Sequence, residues 1–218
     1  SGKNNLNKKQ CLKINYSNTL NTLKKLKNKN IRNLEYFLFI SSSHVYKFSN
    51  KKIKENNTRL PKTTYAISKK KTEDFILKNQ KKISFKVGIA RVFNFTSKLQ
   101  KEGYLVPDLI NYLKKNTQNR KLKLNNFNRF RDFVHINEIC SCLNLMIEKK
   151  FVGPLNIASG KKINIVSLAK IILKKRGMKN KVFVTNKPNQ NLFADIGKLN
   201  KLGFFPKMNI KIFIRDYL

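Results

Sequence analysis

The stretch from Tyr36 to Lys69 constrains the fold of this chain more than any other part of the sequence. It opens with five apolar residues, 36–40, which are typical of a buried strand. Three serines, Ser41 to Ser43, follow where that strand should end, and a polar loop then runs to Pro61. The residues after Pro61 have helical spacing, which predicts a strand, a loop and a helix in that order. The candidates for the packed side of the helix are Ala66, Phe75 and Ile76.

Tyr65 and Lys69 are four residues apart, so on a helix they lie one above the other on the same face. A free tyrosine titrates near pH ~10 and is a poor base at neutrality. A lysine ammonium one turn away should lower that pKa and let the phenol exchange a proton with a substrate hydroxyl or carbonyl. A serine hydroxyl at the strand end could polarise the same oxygen. The hydride in such chemistry has no protein donor and must come from a nicotinamide cofactor.

The spacing Tyr-x3-Lys alone proves little, because lysine and arginine together fill 48 of 218 positions. The order of the surrounding residues adds more. The segment "FISSSHVYK…E…P.TTY.ISK…E" resembles the pattern "fiSSssVYG…E…P.s.Y..sK…E" of the extended short-chain dehydrogenase/reductase family, which acts on nucleotide sugars. The resemblance implies that Ser42 is the catalytic serine, Tyr65 the catalytic base and Lys69 the ribose-binding lysine. It also implies that Ser41, with Tyr65 and Lys69, contacts the cofactor.

The resemblance predicts an α/β fold, with a partial Rossmann-like, doubly wound parallel sheet and a smaller C-terminal substrate-binding lobe. Residues 1–98 would form the second half of the NAD(P)-binding domain and 99–218 mostly the lobe, with 132–175 partly returning to the first domain. The family begins with a glycine-rich turn that holds the dinucleotide pyrophosphate. The eight glycines here include no such motif. We therefore expect a fragment that starts after the family's fourth strand and binds NAD or NADP weakly by itself.

Two further segments of the first half have predicted structure. Residues 1–10 are predicted to form a loop and residues 11–29 a helix. The resemblance places the family's recurrent asparagine on this helix, at Asn15. The alternative is that Asn15 is an ordinary surface asparagine. The apolar positions of that helix are Leu12, Tyr16, Leu20 and Leu23. The run from Ile83 to Phe95 predicts a strand, and its likeness to the family's "ilRlfNvyGp" places Asn94 near the substrate. Arg91 lies in the same run, and the alternative to a role in the site is a structural one, as a charge at the strand end that is paired with neighbouring residues.

The run 102–150 is the second strong match, since "RDFVHI" follows the family's "RDfvhv". The resemblance places Arg131 at the substrate diphosphate, for which the guanidinium geometry is well suited. The alternative is a salt bridge with Asp132 or Glu138. His135 is predicted to be a packed, hydrogen-bonded residue, and Asn137 is a candidate N-cap of the helix that follows. The residues that should begin an earlier substrate-side helix are Leu105, Val106 and Leu109.

The C-terminal part predicts a strand, a turn at Gly160 and a further helix. The apolar face of this helix consists of Ile165, Leu168, Ala169 and Ile172. The family's basic phosphate contact would fall on Lys187, where lysine replaces arginine and loses bidentate capacity. Asp195 is predicted to be a helix N-cap or another structural residue rather than a catalyst.

The net charge of +37 suggests nucleic acid as a partner, but its distribution argues against this. The basic residues are mostly lysine and are spread along the whole chain, whereas arginine is preferred for phosphate and base recognition. Three cysteines argue against a disulfide framework, and Cys140 and Cys142 should point to different sides of a helix without forming a metal site. No apolar run approaches the ~18 residues of a membrane span, and the N-terminal residues lack the apolar core of a signal peptide. A cytoplasmic protein without a membrane or nucleic-acid partner is the expectation.

The residues after Ser42 bear on the type of reaction. Sugar dehydratases of the family carry one or two carboxylates there, whereas this chain has Ser43 and His44, so dehydration is disfavoured. Epimerisation of a nucleotide sugar and reduction of a 4-keto-6-deoxy nucleotide sugar remain, with Ser43 as a substrate contact. The alternatives are a non-catalytic remnant that binds sugar nucleotides and, less favoured, a basic nucleic-acid binder. A homodimer is also possible, as family members often pair.

Overall fold

The structure is a computed structural model, which describes residues 7–28, 33–97, 99–118, 121–179 and 181–207. The strands are β1 (Tyr36–Ser42), β2 (Lys86–Val92), β3 (Asn94–Thr96), β4 (Lys121–Lys123), β5 (Phe130–Arg131), β6 (Phe133–His135), β7 (Gly153–Ile157), β8 (Ile163–Asn164) and β9 (Lys181–Phe183). The α-helices are α1 (Lys8–Leu12), α2 (Asn18–Asn28), α3 (Thr64–Asn79), α4 (Leu105–Lys115), α5 (Ile136–Glu148), α6 (Ile165–Lys175) and α7 (Gly197–Lys201). Shorter turns of 3₁₀-helix cover Ser43–Val45, Gln80–Lys82 and Asn125–Phe127.

A parallel sheet in the order β1-β2-β7 forms the centre of the described structure. Strands β1 and β2 are joined by α3, which is the strand–helix–strand crossover that parallel neighbours require. The register places Ser42 opposite Val92, so the serine-rich end of β1 lies beside the end of β2. This arrangement confirms the predicted α/β class.

Apolar side chains cover both faces of this sheet. On one face, residues of α2 and α3 pack against the first two strands, through Leu23, Phe39, Ile76, Phe85, Val87 and Ile89. On the other face lie residues of α5 and α7, through Ala90, Val134, Ile139, Cys142, Met146, Leu155, Ile157 and Leu199. The layered packing explains why β2 is almost continuously apolar, as strands buried on both faces are.

The C-terminal half has a separate core, in which α4 packs against α6. The predicted apolar face of α6, with Ile165 and Leu168 on it, is buried in this core. Around it, β3 pairs with β6 and β4 with β9 in parallel, and β5 pairs with β8 antiparallel. The predicted domain division at residue 98 stays a prediction.

Some predicted boundaries were wrong. The N-terminal helix begins at Lys8 rather than Cys11, because Asn7 and Gln10 form a capping box that satisfies two backbone N–H groups. The same helical segment contains a π-helical stretch at Lys13–Ser17 between α1 and α2. Residues 1–6 of the predicted loop lie outside the described residues.

The run predicted as one strand from Ile83 to Phe95 is two. Strand β2 begins at Lys86 and ends at Val92, and the chain then leaves β1 so that β3 can pair with β6. Buried Phe93 lies at this change of partner and donates its N–H to the carbonyl of Ile157 at 2.9 Å.

The cap of α5 was also misassigned. His135, not Asn137, is the N-cap, and its Nδ1 accepts the Asn137 N–H at 3.2 Å. Glu138 accepts the His135 N–H in return, which completes a capping box. Asp195 has a structural role, as predicted, since its carboxylate accepts the N–H of Gly197 at 2.9 Å at the start of α7.

Candidate active site

A cavity of about 640 Å³ lies at the carboxyl end of β1. Ligands of α/β proteins commonly bind at this end of parallel strands. The polar and titratable lining residues are Lys8, Cys11, Asn15, Ser41, Ser42, Ser43, His44, Thr64, Tyr65, Asn94, Gln100 and Tyr104. They come from the N-terminal helices, the end of β1 with the turn after it, the start of α3, strand β3 and the segment before α4. Long stretches of the sequence therefore converge on one space.

Ser42 and Tyr65 meet in this cavity, as their predicted pairing requires. Ser42 closes β1, and Tyr65 lies in the first turn of α3, where the Thr63 hydroxyl caps the helix by accepting the Ala66 N–H at 3.2 Å. The Ser42 and Tyr65 side chains lie close enough for the serine hydroxyl to lower the pKa of the phenol. The Ser42 hydroxyl also accepts the backbone N–H of His44 at 3.3 Å, which holds it at the strand end.

Lys69 lies one turn below Tyr65, with its ammonium nitrogen 5.7 Å from the centroid of the Tyr65 ring. The ammonium donates a hydrogen bond to the Ile40 carbonyl at 2.9 Å. Lys69 is half-buried behind the residues that line the cavity rather than among them. Tyr65 and Lys69 thus lie on one helix face, as the spacing predicts.

The predicted effect of Lys69 on Tyr65 is wrong. Burial raises the pKa of Tyr65, and the hydrogen bond with Ser42 opposes that rise. The ammonium lies over the ring and bonds to a backbone carbonyl, so it does not offset the loss of solvent around the phenol. Burial also lowers the pKa of Lys69, against the opposing charges of Cys11 and Glu73. At neutral pH the geometry therefore favours a protonated phenol.

A buried ionic network behind the serines is the main feature that the sequence analysis missed. The Glu73 carboxylate is completely buried and accepts hydrogen bonds from Arg91 at 2.6 Å and from Arg59 at 3.0 Å. It also accepts the Ser41 hydroxyl. Ser41 therefore donates its hydroxyl proton to Glu73 and keeps only its lone pairs for the predicted cofactor contact, which stays a prediction.

Arg91 extends this network across the sheet. Its guanidinium donates to the Tyr46 hydroxyl at 2.8 Å, and that hydroxyl donates to Asn156 Oδ1 at 2.6 Å. Arg91 is thus a satisfied strand-end charge, which was the alternative considered for it. The sequence contained a signal for this network. Glu73 is a carboxylate on the packed side of the predicted helix, seven residues after Ala66, and a buried carboxylate requires a charged partner.

Two buried polar atoms at the cavity have no hydrogen-bond partner. They are the Ser43 hydroxyl oxygen and Asn94 Oδ1, and both residues line the cavity. Buried polar groups are nearly always paired, so atoms without a protein partner beside a cavity point to a ligand. Both residues were predicted as substrate contacts, and the structure brings them to the same cavity as Tyr65.

Asn15 lies at the other side of the cavity, in the π-helical stretch. Its side-chain amide donates to the Cys11 carbonyl at 3.2 Å, and its own carbonyl accepts the Thr72 hydroxyl at 2.9 Å. The latter bond ties the N-terminal helices to α3. Asn15 is therefore an integrated part of the cavity wall rather than the surface residue considered as the alternative.

His44 lines the cavity directly after the serines. Burial, aided by the positive charge of Arg131, lowers the pKa of His44 to about 4. The imidazole is therefore neutral at pH 7. A neutral ring offers one donor and one acceptor nitrogen, in contrast to the carboxylates that dehydratases are expected to carry here.

Arg131 is buried, with 3% of its surface exposed, and within the described residues it forms no ion pair. Its guanidinium donates to the carbonyls of Phe130 at 2.9 Å and Gln190 at 2.6 Å. Burial, together with the charge of Arg129, lowers the pKa of Arg131 to about 9. The alternative of a salt bridge with Asp132 or Glu138 is wrong.

Asp132 instead ties two loops together, because its carboxylate accepts hydrogen bonds from Ser159, Gly160 and Ala194. The structure does not bring Lys187 to the cavity. Lys187 is exposed, and neither it nor Arg131 is a lining residue. Arg131 nevertheless lies close enough to His44 to affect its titration.

The described residues contain no cluster of three or more histidine, cysteine, aspartate or glutamate side chains arranged to bind a metal ion. In the same residues, no helix is long and apolar enough to cross a membrane. Cys140 is exposed and Cys142 is buried, so they point to different sides of α5 as predicted.

Comparison with known families shows to which family this chain belongs. The model of a family described as GDP-mannose 4,6 dehydratase matches residues 7–216. The chain belongs to this family. Its relatives are NAD-dependent epimerases and dehydratases of the extended short-chain dehydrogenase/reductase type, which confirms the predicted resemblance.

Among curated proteins, the chain is similar to the GDP-6-deoxy-D-mannose reductase of Pseudomonas aeruginosa, with 28% identity over 170 residues. The match covers 75% of this chain and 55% of the reductase, so the chain spans about half the length of that relative.

Solved structures with the same fold include RMD from Pseudomonas aeruginosa complexed with NADPH, with a TM-score of 0.81 at 24% identity. That match covers 96% of this chain and 73% of the other. The UDP-N-acetylglucosamine 4-epimerase of Methanobrevibacter ruminantium, in complex with UDP-N-acetylmuramic acid, has a TM-score of 0.75 at 23% identity, over 94% of this chain and 69% of the other. These likenesses establish the fold.

Proposed function

We propose that the protein is an NAD(P)-dependent nucleotide-sugar reductase or epimerase that works through Ser42, Tyr65 and Lys69. The observation that carries the proposal is the meeting of Ser42 and Tyr65 in one cavity, with Lys69 directly below the tyrosine. A hydroxyl pair of this kind can hold one substrate oxygen from two sides. Both reactions need only a proton relay at that oxygen and a nicotinamide.

The groups without a protein partner support a sugar as substrate. The Ser43 hydroxyl and Asn94 Oδ1 need hydrogen-bond partners beside Tyr65, and the hydroxyls of a sugar can supply them. The diphosphate of a nucleotide sugar would supply the anion that the buried Arg131 charge lacks. Lys187 is exposed and remote from the cavity lining, so we assign the phosphate contact to Arg131 first and to Lys187 only as an outer charge.

The nicotinamide cofactor fits the site in part. Lys69 and Tyr65 would hold its ribose, and Ser41, whose hydroxyl proton is donated to Glu73, could contact the cofactor only as an acceptor. The 218 residues include no G-x-G-x-x-G motif for the pyrophosphate. When bound, the nicotinamide supplies or accepts the hydride.

The residues of the chain would then act as follows. Ser42 donates a hydrogen bond to the substrate carbonyl oxygen and orients it towards Tyr65. Because burial raises the pKa of Tyr65, the phenol is protonated at pH 7 and can donate its proton to the oxygen of a carbonyl that is being reduced. A protonated phenol suits the reduction of a 4-keto-6-deoxy nucleotide sugar and equally the reductive half of an epimerisation, so both reactions stay in the proposal. Dehydration is disfavoured, since Ser43 and His44 provide no carboxylate.

The test is turnover of a 4-keto-6-deoxy GDP-sugar with NADH or NADPH, by the chain alone and by the chain extended with the glycine-rich strand–turn–helix of a relative. We expect Tyr65→Phe to lower turnover by roughly 10²–10⁴-fold while sugar-nucleotide affinity changes little. Tyr16→Phe is the matched control, since the Tyr16 ring also has a lysine ammonium 5.7 Å from its centroid but does not line the cavity. Substantial activity in Tyr65→Phe would sink the assignment.

The second candidate function is a sugar-nucleotide binder without catalysis. It is supported by the unpaired Ser43 hydroxyl and Asn94 Oδ1, which call for a ligand in the cavity whether or not turnover follows. This candidate predicts calorimetric binding of a nucleotide sugar with no turnover, even in the extended chain. Assembly as a homodimer and a cytoplasmic location stay predictions.

A further inference from the structure

Cys11 lies in the wall of the candidate active site, yet the proposed reaction makes no use of it. The residue is on α1, has 8% of its surface exposed and is one of the cavity-lining residues. Its sulfur accepts a weak hydrogen bond from the Asn15 side-chain amide at 3.5 Å. The thiol is thus held in place at the edge of an accessible space.

The surroundings of this thiol favour an anionic, polar ligand. The Lys69 ammonium lies over the ring of Tyr65, which lines the cavity together with Cys11, so a positive charge stands behind the wall that holds the thiol. Lys8, one turn earlier, lines the same cavity and adds a second positive charge. Independently of the cysteine, the buried Ser43 hydroxyl faces this cavity without a partner and indicates that a ligand occupies it.

We propose that Cys11 is a thiol–disulfide exchange site for a small anionic disulfide such as oxidised glutathione, and that the adduct closes the active-site cavity. In the exchange, the Cys11 thiolate attacks one sulfur of the disulfide and forms a new S–S bond to it. The original S–S bond breaks, and the second half leaves as a thiolate that takes up a proton. Cys11 is oxidised and the departing half is reduced, so no further oxidant is needed.

The other two cysteines provide internal controls. Cys140 is exposed on α5 and away from the cavity, so it should react without any effect on the site. Cys142 is fully buried, and burial raises its pKa to about 12, so it should be inert. Only Cys11 combines access through a cavity with neighbouring positive charge.

The experiment uses the Cys140→Ser variant, incubated with oxidised glutathione and analysed by intact mass and peptide mapping. We expect one glutathione per chain, on the peptide that contains Cys11, and its release by dithiothreitol. The double variant Cys11→Ala, Cys140→Ser should remain unmodified. Failure to modify Cys11 at concentrations that fully modify Cys140 in the unaltered chain would overturn the proposal.

A second arm tests closure of the cavity and rests on the proposed function. A GDP-sugar should slow adduct formation at least tenfold at saturation, and the adduct should abolish calorimetric binding of that sugar. An adduct that leaves sugar binding intact would overturn the closure. If the unmodified chain binds no nucleotide sugar, the proposed function fails, whereas the mapping of Cys11 still decides the exchange site.

Discussion

The two halves of the predicted site differ in how closely the structure brings their residues together. Ser42, Ser43, Tyr65 and Asn94 line one cavity, whereas Arg131 and Lys187 do not line it. The first group comes from a single strand–helix–strand unit, in which adjacent parallel strands end at the same edge of the sheet. In the second group, Arg131 lies on the two-residue strand β5 and Lys187 in a loop, and neither belongs to that strand–helix–strand unit.

The energetics of the two halves differ in the same way. The first half is held by the Glu73 network, in which a buried carboxylate is paired with two guanidinium groups and one serine hydroxyl. In the second half, the partners of buried Arg131 among the described residues are two backbone carbonyls and the Phe48 ring, and no carboxylate pairs with its charge. The first half is therefore built for stability, and the second is suited to receive an anion.

The largest effect should come from breaking the network of the first half. Glu73→Gln removes the carboxylate but leaves Arg91, which is 1% exposed, without its ion pair. Removal of one partner of a buried pair costs roughly 3–5 kcal/mol, so we expect a loss of that size in the free energy of unfolding, measured by urea titration.

The neighbouring carboxylate gives a matched control. Asp74 pairs with Arg59 at 2.7 Å and with Lys70 at 2.8 Å, but its side chain is 42% exposed. Asp74→Asn should therefore cost only roughly 0–1 kcal/mol. Equal losses of unfolding free energy in the two variants would contradict the prediction. They would mean that the buried Glu73 network stabilises the fold no more than an exposed ion pair does.

The same contrast explains what could be predicted from the sequence. The strand, the serine positions and the Tyr65–Lys69 face follow from local periodicity and from one family pattern, and the structure has them where predicted. The commitment of Ser41 to Glu73 and the raised pKa of Tyr65 depend on burial, which a pattern of residue types does not report. The cap at His135 was missed because histidine is an unusual N-cap, although Glu138 completes a capping box.

The second half of the site can be tested through Arg131 and Lys187. Arg131→Gln should weaken calorimetric binding of a GDP-sugar by roughly 10–100-fold, in line with the loss of a charge-assisted contact. Lys187→Gln should change that affinity less than about twofold, since Lys187 is exposed and outside the cavity lining.

The stability of Arg131→Gln separates a ligand role from a structural one. Because burial penalises the charged guanidinium, which forms no ion pair within the described part of the chain, its removal should leave the free energy of unfolding unchanged or slightly higher. A loss of about 3 kcal/mol or more would instead mean that Arg131 is a structural ion whose partner interactions stabilise the fold.

The last effect depends on pH and concerns His44, which links the two halves because burial, aided by the charge of Arg131, lowers its pKa to about 4. The folded-state pKa lies below the ordinary value of ~6.5, so the contribution of His44 to stability is fully present above pH ~6.5 and is lost as the pH falls through about 4. The corresponding change is at most about 3 kcal/mol. Asp132 acts in the opposite direction: burial raises its pKa from 3.8 to about 6, so its contribution is present below 3.8 and is lost as the pH rises through about 6.

The pH-dependent contributions of His44 and Asp132 to stability partly cancel. Because Asp132 is present in both proteins, the difference in unfolding free energy between wild type and His44→Gln reports the contribution of the histidine. Acidification from pH 7 to 4 should destabilise wild type relative to His44→Gln, whereas Ser43→Ala, which alters the same cavity wall without a titrating group, should keep the wild-type dependence. Adding pyrophosphate tests whether the two halves form one site. An anion bound at Arg131 would offset the charge of the guanidinium and reduce the acid-induced difference in stability between wild type and His44→Gln. A difference that pyrophosphate leaves unchanged would mean that the anion does not bind beside Arg131, and the two halves would then not form one site.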